Sequence, residues 1–164
     1  MRAGLDLRVV RLAPLVALAA AAAIVGCASE KPETPAACLA PAKDYAAALE
    51  AAPQPVRLAD GTSISECLVA DQSPADISSV GQELIAAATR LNAEAKQDPP
   101  GEASVELGYL IGAAQEAGSE TAGLHTDLLR RLDSAARFNE GGAPLPASFE
   151  RAFGEGYAAG QENG

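Results

Sequence analysis

Large side chains and metal-binding residues are scarce in this sequence. It has no tryptophan, three phenylalanines, three tyrosines, three cysteines and one histidine among 164 residues. The single imidazole, His125, leaves no His- or Cys-rich ligand set for zinc, and no Asp-x-Asp-x-Asp run offers a calcium loop. The cysteines lack the Cys-x-x-Cys spacing of thiol redox and metal sites. There is no Gly-x-Ser-x-Gly elbow for a serine nucleophile. No metal, cofactor or catalytic residue is therefore assigned, and the chain reads as a non-enzyme. An active site built on His125 with Glu120 or Asp127 ranks last.

Positive charge is also in short supply, with 12 Lys and Arg against 22 Asp and Glu. Nine of those basic residues and 21 of the acidic ones fall in residues 27–164, which carry a formal charge of −12. Such a surface repels nucleic acid and anionic lipid headgroups, and it favours a basic partner or cations. Only 24 Leu, Ile, Val and Phe occur in that stretch, whereas the whole chain holds 38 alanines. Composition alone argues for a weak core. Periodicity argues for a small, thinly packed helical domain, because alanine favours helix and lets helices approach closely.

The N-terminus is organised differently. Arg2, Arg8 and Arg11 precede an uncharged apolar run from Leu12 to Ala28, the pattern of an export signal. Its 17 residues fall short of the roughly 20 that a membrane-spanning helix needs. Ile24-Val25-Gly26-Cys27, placed after that run, resembles the lipobox of bacterial lipoprotein signal peptides. The resemblance covers residues 1 to 27 and implies cleavage after Gly26 and a diacylglycerol on the Cys27 sulfur. The chain would then be anchored in the cell membrane and face the extracytoplasmic side. Two acyl chains suffice for stable attachment. The remainder is similar to Ala-rich lipoproteins of actinobacteria, a likeness that implies no activity. With Cys27 assigned to lipid, Cys38 and Cys67 are left to pair outside the cytoplasm. Residues 27–37, with Pro32 and Pro35, read as the lipidated cysteine and a flexible tether, and 38–164 as one helical domain.

Within that domain, a short helix is expected over Pro41 to Ala52, and Ser73-Pro74-Ala75-Asp76 reads as the capped start of a second that runs to about Gln97. Ile77, Gly81, Leu84, Ala88, Leu91 and Ala95 form its apolar stripe. A third pattern spans Ala103 to Phe138, with Leu107, Leu110, Thr121, Leu124, Leu128 and Leu132 on one side. At 1.5 Å per residue it would be about 54 Å long, so a bend near Gly118-Ser119 or Gly123 is expected. Between the first two helices, Asp60-Gly61 flanked by Val56 and Ile64 predicts a short β-hairpin over residues 56–65, or an ordinary loop. The fold class is mostly α, a three- to four-helix bundle.

Phe149, Phe153 and Tyr157 stack at steps of four on the last helix, either as core or as a binding surface for a peptide or glycan. Gly108 and Gly112 predict close helix packing. His125 is expected to be partly exposed on a helix rim. Two roles follow for a membrane-anchored protein of this kind: contact with another envelope protein, or binding of a small ligand between the long helix and the aromatic one.

Overall fold

A computed structural model describes residues 33–139, 141 and 143–164. The expected signal peptide, Cys27 and the first part of the tether lie outside these residues. From Thr34 onward the chain is fastened to the domain, because the Thr34 hydroxyl meets Asp76 Oδ2 at 3.3 Å and accepts from Gln72 Nε2 at 2.9 Å. A 3-10 turn over Ala36–Leu39 follows and leads into the first helix.

Among the described residues there are five α-helices and no strand: α1 Ala42–Leu49, α2 Pro74–Gln97, α3 Glu102–Ser119, α4 Thr126–Ala135 and α5 Ala147–Asn163. None is long and apolar enough to cross a membrane. Helix α1 starts where Glu83 of α2 accepts from the Ala42 N–H at 2.7 Å, so a neighbouring helix caps it. Helix α2 starts where Ser73 accepts from the Asp76 N–H at 3.1 Å with Pro74 behind it, and stops before Pro99-Pro100. Its buried face, from Val80 through Leu84 and Leu91 to Ala95, packs on α1, α3 and α4.

Helix α3 is the centre of the bundle. From Leu107 to Ala114 every residue is buried, so this segment is apolar all round rather than striped. Its deepest neighbour is α5, with which it makes the most extensive contact in the molecule. Glycines on both helices allow this. A Cβ on Gly108 would sit 2.1 Å from the Phe153 carbonyl oxygen, and one on Gly160 would sit 2.2 Å from that of Tyr109. The expected close packing at Gly108 and Gly112 is therefore backbone against backbone, answered by Gly156 and Gly160 across the interface.

The expected third helix is two helices. Ala122 and Gly123 adopt φ of +51° and +87°, which ends α3 and reverses the chain before α4 begins. A straight rod would leave its second half uncovered, whereas folding back buries Leu128 and Leu132 against α2. Asn92 of α2 fixes the return by donating to the carbonyls of Ala135 and Arg137, both at 2.9 Å. The reversal shifts the helical phase, so Leu124 points outward at 43% exposure although the periodicity placed it inside.

Residues 56–65 contain the Asp60-Gly61 turn but no ladder. Leu58 N–H donates to the Thr62 carbonyl at 2.8 Å, and Gly61 takes φ +88°. Beyond that pair the backbone finds other partners: Val56 N–H donates to the Tyr109 hydroxyl at 3.0 Å, and the chain after Ile64 winds into a 3-10 turn over Ser65–Cys67. The loop is therefore the outcome, held by a side chain of α3 rather than by an opposing strand.

Candidate binding site: an aromatic groove

Cys38 and Cys67 are joined by a disulfide that ties the two 3-10 turns together. Both are fully buried, and the Tyr45 hydroxyl donates to the Cys38 carbonyl at 2.7 Å beneath them. Burial first, and then the carboxylate of Glu83, raise the Tyr45 pKa well above the ordinary phenol value. Tyr45 therefore stays a donor at any physiological pH.

His125 is not on a rim. It is fully buried at the start of α4, with Nδ1 2.9 Å from Thr121 Oγ1 and Nε2 2.7 Å from Gln72 Oε1. The Gln72 amide donates to the Cys67 carbonyl at 3.0 Å, which orients its oxygen toward the ring. In the neutral form, therefore, Nε2–H donates to Gln72 and Nδ1 accepts from the Thr121 hydroxyl. Neither Glu120 nor Asp127, the carboxylates considered for an active site, hydrogen-bonds the ring, whose two nitrogens meet Thr121 and Gln72 instead. The break after α3 explains the change of place: it turns Leu124 out and His125 in.

Burial lowers the imidazole pKa from 6.5. The folded state then takes up the proton less readily than the unfolded chain. His125's contribution to stability is complete above about pH 6.5 and is lost as pH falls from there through the lowered folded value. Protonation does not orphan the ring, because Thr121 can accept from Nδ1–H while its own proton goes to the Gly118 carbonyl 2.8 Å away. We expect urea unfolding to show wild type losing stability relative to His125→Gln as pH falls below about 6.5. Parallel profiles for the two proteins would refute this.

The aromatic residues of α5 divide between core and surface. Phe149 is 3% exposed and belongs to the interior, while Phe153 and Tyr157 are half-buried. Phe138 joins them from the far end of α4. The four rings form one row, with successive centroids 4.2, 5.4 and 6.2 Å apart from Phe138 to Tyr157. They floor a groove of about 720 Å³ bounded by Ile111 and Gln115 of α3, Ala136 after α4 and Leu145 of the last connection. At one end the Tyr157 hydroxyl donates to Gln115 Oε1 at 2.6 Å, and Gln115 Nε2 donates to Asp133 Oδ1 at 3.1 Å. The groove lies between the third-pattern helices and the aromatic helix.

No protein-family model, curated protein or solved structure matches the chain. The groove must therefore be read from its own chemistry.

Sequence reasoning found three of the four rings and missed Phe138, Gln115 and Asp133. Phe138 carried one signal, since all three phenylalanines of the chain meet in this row. The acidic residues form no metal site: among the described residues no group of three or more His, Cys, Asp or Glu is placed to hold an ion. Glu66, Glu116, Glu120 and Glu162 share the lining of a second cleft of about 490 Å³ with Leu68, Val69 and Ala117. Partial burial first, and then the charges of Glu50, Glu94 and Glu102, raise the Glu106 pKa.

Proposed function

We propose that this protein is a lipid-anchored, extracytoplasmic, non-enzymatic binding protein that holds a small ligand in the aromatic groove. The observation that carries the reading is the groove itself: its volume is within the range of small-molecule sites, about 300–1,000 Å³. Its walls are predominantly apolar, with a few convergent polar groups at the ends, the usual make-up of such sites. Anchoring rests on the lipobox resemblance at Cys27, and the disulfide accords with an oxidising compartment.

The two halves of the proposal are tested separately. Cys27→Ser is expected to move the protein from the membrane fraction to the soluble one. An unchanged distribution would overturn the anchor. Thermal stabilisation by some members of a metabolite panel, abolished by Phe153→Ala, is expected for the groove. Flat melting curves across the panel would overturn the ligand reading and leave contact with an envelope protein as its replacement.

A further inference from the structure

We propose that the ligand is an anionic amphiphile, an apolar chain ending in a carboxylate or phosphate, with its chain in the groove and its head held by Lys96 and Arg137. This rests on reading the groove as a ligand site and names the class of its ligand. Beside the groove, between the C-terminal halves of α2 and α4, lies a smaller cleft of about 400 Å³ whose lining includes Thr89, Lys96, Ser134 and Arg137. Arg137 is the residue common to the two linings. It immediately precedes Phe138, the first ring of the row, so the two spaces adjoin at that end of the groove.

Charge sets the smaller cleft apart. Asp133 and Glu150 line the groove, glutamates line the second cleft, and Asp44 lines a cleft beside α1. Here the lining holds two cations and no carboxylate. Among the described residues neither Lys96 nor Arg137 forms an ion pair, although acids far outnumber bases on this domain. The carbonyls at the end of α4 are turned to another use, since those of Ala135 and Arg137 accept from Asn92 Nδ2. Arginine offers a planar fork that matches two oxygens of a carboxylate or phosphate, and lysine adds a mobile point charge. The net charge of the domain opposes an anion from afar, but that field fades over about 10 Å at 0.1 M salt. Within that reach the two cations act on the head directly.

The groove suits the other half of such a molecule. Its polar groups largely satisfy one another: Gln115 donates to Asp133, the Tyr157 hydroxyl to Gln115, and Asn139 Nδ2 to the Ala143 and Pro144 carbonyls. A polar head gains little among them, and the Glu150 carboxylate repels an anionic one, which directs the head past Phe138 to the smaller cleft. An apolar chain instead gains by burial against Ile111, Leu145 and Phe153.

The test titrates the full chain calorimetrically with four probes that share one tail, each below its micellar concentration: decanoate, decyl phosphate, decanol and decylammonium. At least one of the two anions is expected to bind about tenfold more tightly than decanol, with decylammonium weakest. Lys96 and Arg137 are both exposed, so Lys96→Gln/Arg137→Gln should melt as wild type does. That double variant should bring the anions down to the affinity of decanol and leave decanol itself unchanged. Phe153→Ala should abolish binding of every probe. Equal binding of anions and decanol, or tightest binding of decylammonium, would overturn the anionic head and leave the groove as a ligand site, provided Phe153→Ala removes the binding. A preference for anions that survives the double variant would overturn the role of Lys96 and Arg137. If no probe binds, or if binding survives Phe153→Ala, this proposal and the groove reading both fall.

Discussion

Gly156→Ala is expected to destabilise the protein by about 2 kcal/mol, although alanine is the better helix former by roughly 1 kcal/mol. A Cβ at position 156 would stand 1.8 Å from the Val105 carbonyl oxygen and 2.9 Å from the Tyr109 nitrogen. Those atoms are backbone inside a continuous helix, so no rotamer can move them aside. Relief requires α3 and α5 to separate, and separation exposes the all-apolar segment of α3. Gly154 supplies the control on the same helix, because nothing lies within 4 Å of its added Cβ. Gly154→Ala should therefore stabilise by about 0.5–1 kcal/mol through helix propensity alone. Urea midpoints decide the matter: if both substitutions shift stability the same way, the interface is not packed as described.

Loss of the disulfide is the second large effect. Joining residues 29 apart removes unfolded-state entropy equivalent to about 3.5 kcal/mol on the loop-closure model. For a domain with total stability of about 5–15 kcal/mol, that is a major share. The closed loop contains α1 and the Asp60-Gly61 turn, both short elements with little core of their own. The Cys38→Ala/Cys67→Ala double variant is thus expected to melt well below wild type, with α1 and residues 54–65 losing amide-exchange protection first. Intact mass should show two fewer hydrogens in the native protein than after reduction. Identical urea midpoints with and without reductant would refute the role.

The elements legible in the sequence were those whose signals are local. Helix α2 could be read end to end, since Ser73, Pro74, Asp76 and the prolines after Asp98 all act within one turn of the boundary they set. The split of the third pattern was legible in part: its length and Gly123 predicted a bend there, and Gly123 takes φ +87° at the break. The apolar rhythm nevertheless continues through residues 120–125, and the full reversal also needs Ala122 at positive φ, which no residue type announces. The burial of His125 could not be read, because it follows from that reversal and its partner Gln72 lies 53 residues away. The Asp60-Gly61 turn was legible as a turn, but a hydroxyl from α3 decides where Val56 N–H goes. Likewise the row on α5 was visible as a period of four, while the groove also needs Phe138 to extend the row and Leu145 to line it.

The glycine contacts between α3 and α5 have a mechanical consequence for whatever lies in the groove. Two helices seated carbonyl against Cα have no side-chain cushion to compress, so the floor that carries Phe153 and Tyr157 behaves as a fixed ruler. Asn139, Ala143 and Leu145, outside any α-helix, line the groove as well. On the proposed ligand reading, length along the rings is read against a scale that does not stretch.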